Sequence, residues 1–208
     1  MQKIKVGIFI YDNVEVLDFT GPYEVFSVTR TLDNPEFTAP SPFEILLVSE
    51  QQRKVKTMGG MKVVPNYNFE DFPDVDILII PGGLGERTEH NNAIIHHFLK
   101  IQSKKVKTLA SVCTGALFLA FAGLLNGKRA TTHTLSLDRL QEGFPEIDVI
   151  QDKRYVEDGN IITSAGISAG IDMSLYIVAK YMGEEVARLT AREMEYPYPK
   201  SDNRGTFS

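Results

Sequence analysis

Short runs of apolar residues alternate along the chain with longer segments whose apolar residues recur at helical spacing. The apolar runs predict strands at residues 3–11, 43–49, 77–80, 106–112 and 148–151. The longer segments predict helices at residues 18–29, 91–103, 116–125, 136–142, 169–182 and 184–195. Strands that are apolar throughout and alternate with helices are typical of a mainly parallel sheet covered on both faces. The pattern therefore predicts an α/β fold, a three-layer sandwich.

Two breaks in this pattern predict hairpins. Residues 55–64 are interrupted by Gly59-Gly60 and predict a hairpin on an edge of the sheet. Asp158-Gly159 is a strong turn signal between the segments 153–157 and 160–164, which predict a second hairpin. Because no repeat, linker or low-complexity stretch divides the chain, we predict a single domain over residues 1–196, followed by a tail at residues 197–208.

Composition narrows the class of partner. The 208 residues are 43% hydrophobic and 24% charged, as in an ordinary soluble globular protein. A net charge of -5 disfavours a nucleic-acid backbone as partner. The longest apolar run, residues 116–125, is too short to cross a bilayer, and no signal peptide is recognisable at the start. A single cysteine cannot form an internal disulfide, so we expect a cytoplasmic protein without a membrane or nucleic-acid partner.

The one cysteine, Cys113, lies where a predicted strand turns sharply into a predicted helix. Such a strand–turn–helix bend projects its side chain beyond the sheet and above the first amides of the helix, as in a nucleophile elbow. Partial positive charge there favours a thiolate, so we expect Cys113 to be acidic, prone to oxidation and suited to act as a nucleophile. The alternative is a small buried hydrophobe, the commonest role of a lone cysteine.

Two further features follow strands that end at the same edge. Asp18 comes after the first strand and Gly82-Gly83 after the strand at 77–80, so both are expected beside Cys113. Backbone amides of Gly82, Gly83 and Thr114 can then receive negative charge that develops on a substrate. Asp18 can hydrogen-bond to the sulfur and carry a proton, with a pKa raised by burial and like charge. Helix capping by Asp18 and a plain turn at Gly82-Gly83 are the alternatives.

Metal and cofactor sites are not indicated. His90, His96 and His97 lie near two glutamates, but adjacent histidines point to different faces of a helix and no ligand spacing is met. The glycine-rich loop at 81–85 lacks both the Walker lysine and the dinucleotide-binding glycine pattern. We therefore expect no metal and no cofactor, and only a small-molecule substrate. Gly166 and Gly170 are interpreted as positions where a helix approaches the site closely.

Five motifs, in order along the chain, carry a resemblance: residues 17–22 (LDFTGP), 80–83 (IPGG), 110–115 (ASVCTG), 130–133 (ATTH) and 163–172 (TSAGISAGID). Together they resemble the ThiJ/PfpI superfamily, which includes the DJ-1-like proteins, over nearly the whole chain. The first and third motifs are most similar to its isocyanide hydratase subgroup. The resemblance implies a flavodoxin-like sandwich with class I glutamine amidotransferase-like topology, and a homodimer.

The resemblance also implies chemistry. Cys113 matches the nucleophile, and Asp18 and Thr114 match the residues that assist it in isocyanide hydratases. The implied reaction is hydration of an isocyanide to an N-substituted formamide through a thioimidate on Cys113. His133, Gly166 and Ile167 are possible accessory residues, and His133 has a counterpart in the parkinsonism-associated branch; a purely local hydrogen-bonding role for this histidine is equally compatible with the sequence.

Thr114 stands where protease-like and amidase-like branches place a histidine, so a cysteine–histidine dyad on adjacent residues is excluded. Two other functions remain open at this stage. One is a glyoxalase-like enzyme acting on reactive carbonyls through the same cysteine. The other is a thiol or ligand sensor, because a similar domain forms the amino-terminal half of some AraC-type regulators.

Overall fold

A computed structural model describes residues 2–36, 38–51 and 53–198. Its centre is a seven-stranded sheet in the order β10-β11-β7-β6-β1-β2-β5. The strands of this sheet are β1 (Ile4–Phe9), β2 (Phe43–Ser49), β5 (Tyr67–Asn68), β6 (Ile77–Ile80), β7 (Thr108–Val112), β10 (Tyr155–Asp158) and β11 (Ile161–Ser164). All neighbouring strands are parallel except β10, which runs antiparallel to β11. The predicted mainly parallel sheet is confirmed.

Helices cover both faces of the sheet. One layer contains α1 (Val16–Val28), α6 (Ala169–Met182) and α7 (Glu184–Glu193), which pack against one another. The other contains α2 (Glu86–Glu89), α3 (Ala93–Gln102) and α4 (Gly115–Phe121). A further helix, α5 (Leu137–Gly143), packs beside a small two-stranded ribbon of β8 (Arg129–Ala130) and β9 (Asp148–Val149). The flavodoxin-like three-layer sandwich is therefore confirmed.

The centre of the sheet carries the core. Every residue of β6 and β7 is buried, and so are the last four residues of β1. Strands of this kind have no solvent face, which explains why most of their residues are apolar. Since β1, β6 and β7 are parallel neighbours, their carboxyl ends meet at one edge of the sheet. The loops that leave this edge position the candidate site.

The hairpin at residues 55–64 forms, but its predicted place on the sheet edge is wrong. Strands β3 (Val55–Lys56) and β4 (Lys62–Val63) pair only with each other, around a 3-10 turn at Met58–Gly60. The edge is instead the two-residue strand β5, which pairs with the end of β2. The hairpin bonds to the loop after β1 instead: the Asn13 amide donates to the Lys56 carbonyl oxygen at 2.7 Å, and the Met58 amide donates to that of Val14 at 3.0 Å.

The second hairpin agrees with its prediction, since β10 and β11 pair across Gly159, whose φ is 66°. The predicted tail at 197–208 lies outside the described residues apart from 197 and 198. Among the helices of the described residues, none is both long and apolar enough to span a membrane.

Candidate functional site

Cys113 lies at a sharp bend between β7 and α4. Its φ is 59°, in the left-handed region that side chains other than glycine rarely adopt. A Cβ on the nearby Gly115 would lie 1.9 Å from the carbonyl oxygen of Ile80, so only glycine permits this close approach of α4 to β6. The Cys113 amide donates to the carbonyl oxygens of Ser164 (3.2 Å) and Ala165 (3.1 Å), which ties the bend to the end of β11. The cysteine is only 6% exposed.

Asp18 reaches the bend from α1. It is completely buried, and its Oδ2 accepts a hydrogen bond from the Gly82 amide at 2.9 Å. Its other oxygen, Oδ1, is buried without a hydrogen-bond partner in the described part of the chain. The carboxyl also interacts with the Cys113 thiol. The helix-capping alternative does not apply, because Glu15 occupies the N-cap position and Asp18 lies inside the first turn.

Thr114 joins the bend to the loop that follows β6. Its Oγ1 accepts a hydrogen bond from the Gly83 amide at 3.0 Å. A Cβ on Gly82 would lie 2.5 Å from both the nitrogen and the Oγ1 of Thr114, so this loop and the start of α4 fit together only with glycine there. The predicted neighbourhood of Asp18, Gly82-Gly83 and Cys113 is therefore present.

The amides of Gly82 and Gly83 have a different use from the one predicted. Both donate within the protein, to Asp18 and Thr114 respectively. The amides directed at the sulfur belong to Thr114 and Ile167. Of the three amides predicted to stabilise negative charge, the one directed at the Cys113 sulfur is therefore that of Thr114.

Burial dominates the electrostatics of the pair. Desolvation raises the pKa of Asp18 from 3.8 to about 7, although the Gly82 hydrogen bond opposes this rise. Desolvation and then the charge of Asp18 raise the pKa of the Cys113 thiol to about 12, against the lowering effect of the Thr114 and Ile167 amides. The expected acidic thiol is therefore wrong for the isolated site, since burial and like charge outweigh the amides. Between these two values, Asp18 and Cys113 share one proton.

Ile167, predicted only as an accessory residue, presents its backbone to the sulfur. Its φ is 48°, an unusual value for a β-branched residue, and this conformation belongs to the loop between β11 and α6. The preceding Gly166 lies beneath the His133 ring, where a Cβ would be 2.1 Å from the ring Cδ2. Gly166 was the only sign in the sequence that the His133 ring packs closely on this loop. Nothing in the sequence indicated where the Ile167 amide points.

His133 is held by local contacts. Its Nδ1 accepts a hydrogen bond from the Leu135 amide at 3.1 Å, and its ring covers Gly166. The neighbouring Thr132, which sequence reasoning passed over, donates from Oγ1 to the Cys113 carbonyl oxygen at 2.8 Å. His133 therefore has a specific local hydrogen-bond partner, the Leu135 amide. Thr132 joins the bend to the loop after β8.

Two buried polar residues behind the site were also missed. Tyr11 donates from its hydroxyl to the Pro81 carbonyl oxygen at 3.1 Å, and its pKa is raised well above 10 by burial and by nearby acidic groups. Glu86, which is 0% exposed, accepts from both terminal nitrogens of Arg139, at 2.6 and 2.9 Å. The first contact holds the loop after β6 at Pro81, and the second holds the helix α2 that follows this loop.

Three exposed leucines are sequence neighbours of residues discussed above. Leu17 precedes Asp18, Leu84 follows Gly83, and Leu135 lies two residues after His133. Their exposed fractions are 37%, 59% and 89%.

The described residues contain no group of three or more histidine, cysteine or acidic side chains able to hold a metal ion. His90 and His96 instead contact backbone carbonyl oxygens, those of Glu86 (3.2 Å) and His90 (2.6 Å).

The site at Cys113 offers a buried thiol, a buried carboxyl of raised pKa and two amides facing the sulfur. Groups of this kind support nucleophilic addition coupled to proton transfer.

The profile of the DJ-1/PfpI family matches residues 4–180. The chain is 34% identical to the isonitrile hydratase of Pseudomonas putida over 202 residues, which are 96% of this chain and 82% of that protein. It is 28% identical to the HTH-type transcriptional regulator GbdR of Pseudomonas aeruginosa over 88% of this chain, but spans only 48% of that regulator. Among solved structures it is similar to a THiJ/PfpI family protein from Pseudomonas syringae, with a TM-score of 0.83 and 29% identity over 99% of this chain and 80% of that one.

Proposed function

Because the chain belongs to the DJ-1/PfpI family, we propose that it is a cysteine-dependent hydratase that converts isonitriles into N-substituted formamides, with Cys113 as the nucleophile. The observation that carries the proposal is the burial of the Asp18 carboxyl and the Cys113 thiol at one bend, where Gly82 binds Asp18 and the two groups shift each other's pKa so that they share one proton above about pH 7. The similarity to an isonitrile hydratase over most of both chains supports the choice of substrate class.

The first step is addition to the isonitrile. The Cys113 thiolate attacks the terminal carbon, and the proton that the pair shares passes from Asp18 to that same carbon. The product is a thioimidate in which the carbon is bonded to sulfur and hydrogen and doubly bonded to nitrogen. Asp18 is left as a carboxylate.

The second step is hydrolysis. Asp18 accepts a proton from a water molecule as the water attacks the thioimidate carbon, and then gives this proton to the nitrogen. The carbon–sulfur bond of the resulting intermediate breaks as its hydroxyl loses a proton to the Asp18–Cys113 pair, which releases the N-substituted formamide and restores the single shared proton. The sum of both steps is one isonitrile and one water consumed for each formamide formed, so the enzyme returns to its starting state.

The surroundings of Asp18 support both roles. A pKa of about 7 leaves the carboxyl able to give and to take a proton near neutral pH. The Gly82 amide fixes Oδ2, so the unpartnered Oδ1 is the atom proposed to carry the proton. The amides of Thr114 and Ile167 stabilise the sulfur when it is negatively charged.

The test is formamide production from a panel of alkyl and aryl isonitriles, followed by chromatography. We expect saturable turnover by the wild-type protein. Cys113→Ser should reduce it to background, and Asp18→Asn should reduce kcat by about 10²–10⁴-fold, the usual contribution of a general acid–base residue. The matched control is Asp158→Asn, a carboxylate in the β10–β11 hairpin, which should retain wild-type turnover.

Formamide production that survives in Cys113→Ser would contradict the proposal. So would a wild-type protein that converts no isonitrile while an alkylating reagent still labels Cys113. In the second case the same panel of variants is assayed with small reactive carbonyls, the substrates of a glyoxalase-like enzyme.

A further inference from the structure

We propose that Arg154 and Asp172 are positioning residues that hold the loop at residues 165–168 so that the Ile167 amide faces the sulfur of Cys113. This inference rests on the proposed function only in so far as Cys113 reacts as a thiolate. It concerns a buried ion pair that the two steps described above do not use.

Arg154 holds the loop from two sides. Its backbone carbonyl oxygen accepts a hydrogen bond from the Ala165 amide at 2.8 Å, at the start of the loop. Its guanidinium donates to the Ser168 Oγ at 3.2 Å, at the end of the loop. The intervening residues, Gly166 and Ile167, therefore lie between two attachment points that belong to one arginine.

Asp172 fixes the guanidinium. Its Oδ2 accepts from the Nε of Arg154 at 2.6 Å and from a terminal nitrogen of the same group. The Tyr196 hydroxyl donates to the same oxygen at 3.0 Å. Asp172 is 5% exposed and lies in the first turn of α6, so the ion pair ties the segment before β10 to the helix that the loop begins. A charged pair buried in this way holds a defined geometry, because either partner alone would be left without compensation.

The loop needs such support. Ile167 has a φ of 48°, a conformation that costs free energy for a β-branched residue unless its surroundings enforce it. The Cys113 amide also bonds to the Ala165 carbonyl oxygen at 3.1 Å, so the same loop contacts both the backbone and the sulfur of the cysteine. Relaxation of Ile167 to an ordinary conformation would turn its amide away from the sulfur.

The readout is the alkylation rate of Cys113 with iodoacetamide, measured on the whole protein between pH 8 and 10. In this range Asp18 and Cys113 share one proton, so the rate follows the fraction of pairs in which the sulfur is the ionised partner. The Ile167 amide increases that fraction. Asp18 from α1 and Tyr11 after β1 interact electrostatically with the thiol, and the His133 ring after β8 covers Gly166 of the loop. All three residues remain unchanged in the variants.

We expect Asp172→Asn and Arg154→Gln to slow alkylation about tenfold, the effect of losing one hydrogen bond to a charged sulfur. Ser168→Ala removes only the contact at the end of the loop and should slow it about threefold. This exposed substitution guards against the case in which the buried variants fail to fold. The matched control is Lys180→Gln, which breaks the ion pair between Glu157 of β10 and the last turn of α6 and should leave the rate unchanged.

Unchanged or faster alkylation in folded Asp172→Asn and Ser168→Ala would overturn the positioning role, since a loosened loop that only exposes the thiol speeds the reaction. The result is separable from the proposed function. Slower alkylation together with no isonitrile turnover in the wild-type protein would refute the hydratase and leave the positioning role intact. Alkylation of the variants at the wild-type rate, together with isonitrile turnover by the wild-type protein, would refute the positioning role and support the hydratase.

Discussion

Asp18 is a single carboxyl whose burial affects both chemistry and stability. Its pKa is about 7 in the folded protein against 3.8 for an exposed aspartate. An acid whose pKa is raised by folding stabilises the fold fully below its unfolded pKa, and this contribution is lost as the pH rises through the folded pKa. The free energy of unfolding should therefore fall between about pH 4 and pH 7.

We expect Asp18→Asn to be more stable than the wild-type protein at pH 8, because the neutral amide avoids the cost of a buried charge. The gain is up to about 4 kcal/mol, the equivalent of a rise of some three pKa units. It should shrink towards zero near pH 4, where the wild-type carboxyl is protonated. Urea denaturation of both proteins at pH 4, 6 and 8 measures this difference.

The matched control is again Asp158→Asn. The Asp158 pKa is lowered by the Arg129 amide and two basic side chains, so this substitution should reduce stability at pH 8. An Asp18→Asn protein that is less stable than wild type at pH 8 would show that the Gly82 hydrogen bond outweighs desolvation.

For individual residues, the sequence predicted their positions better than the directions of their pKa shifts. The neighbourhood of Cys113 and the Asp18 carboxyl, and the raised pKa of that carboxyl, followed from their places after parallel strands. The direction of the Cys113 pKa did not, because amides and burial act oppositely on a thiol and their balance depends on packing. Ile167 was found only through its motif, since no one-dimensional pattern shows where an amide points.

Among the elements, the short helix α2 illustrates how a buried ion pair supports the site. Glu86 has no solvent exposure, and Arg139 of α5 binds both its oxygens. Because α2 follows Gly83 after only two residues, the pair restrains the loop whose amides bind Asp18 and Thr114.

We expect Arg139→Met to reduce the free energy of unfolding by about 3 kcal/mol, because the buried Glu86 carboxylate loses both guanidinium hydrogen bonds and keeps only His90, whose Nδ1 lies 3.9 Å from Oε1. The double variant Glu86→Gln/Arg139→Met removes the charge as well and should recover much of this loss. Urea denaturation at pH 7 compares the two. A single variant as stable as wild type would show that Glu86 finds another partner.

Elements of two to four residues were the ones that the sequence failed to place. Helix α2 and strand β5 are too short to show a period, and the β3–β4 ribbon was assigned to the wrong sheet. Long elements were placed to within a few residues; α6, for example, has the predicted bounds. Periodicity needs several turns or alternations before it becomes informative.

For the whole molecule, the order of apolar strands and helices was enough to predict the layers and the edge where the loops converge. The family resemblance implies in addition that two chains associate. Exposed apolar residues such as Tyr23 on α1 and Ile94 on α3, at 39% and 56% exposure, have free energy to gain from such contact.

We expect sedimentation velocity at micromolar concentration to give twice the mass of one chain. The physical reason is that burial of apolar surface favours association. A mass equal to one chain across the same concentrations would contradict the homodimer. Measurement at two salt concentrations separates apolar association, which salt does not weaken, from association through charges.

The three exposed leucines beside the site residues have a consequence for how the protein tolerates substitutions. The frame of the site consists of buried contacts among Asp18, Gly82 and Thr114, whereas Leu17, Leu84 and Leu135 project into solvent. Surface substitutions of this kind usually alter stability by no more than about 0.5 kcal/mol. Substitutions at the three leucines can therefore accumulate while the buried contacts stay unchanged. A small library randomised at these positions would test new side chains beside the site with little loss of stability.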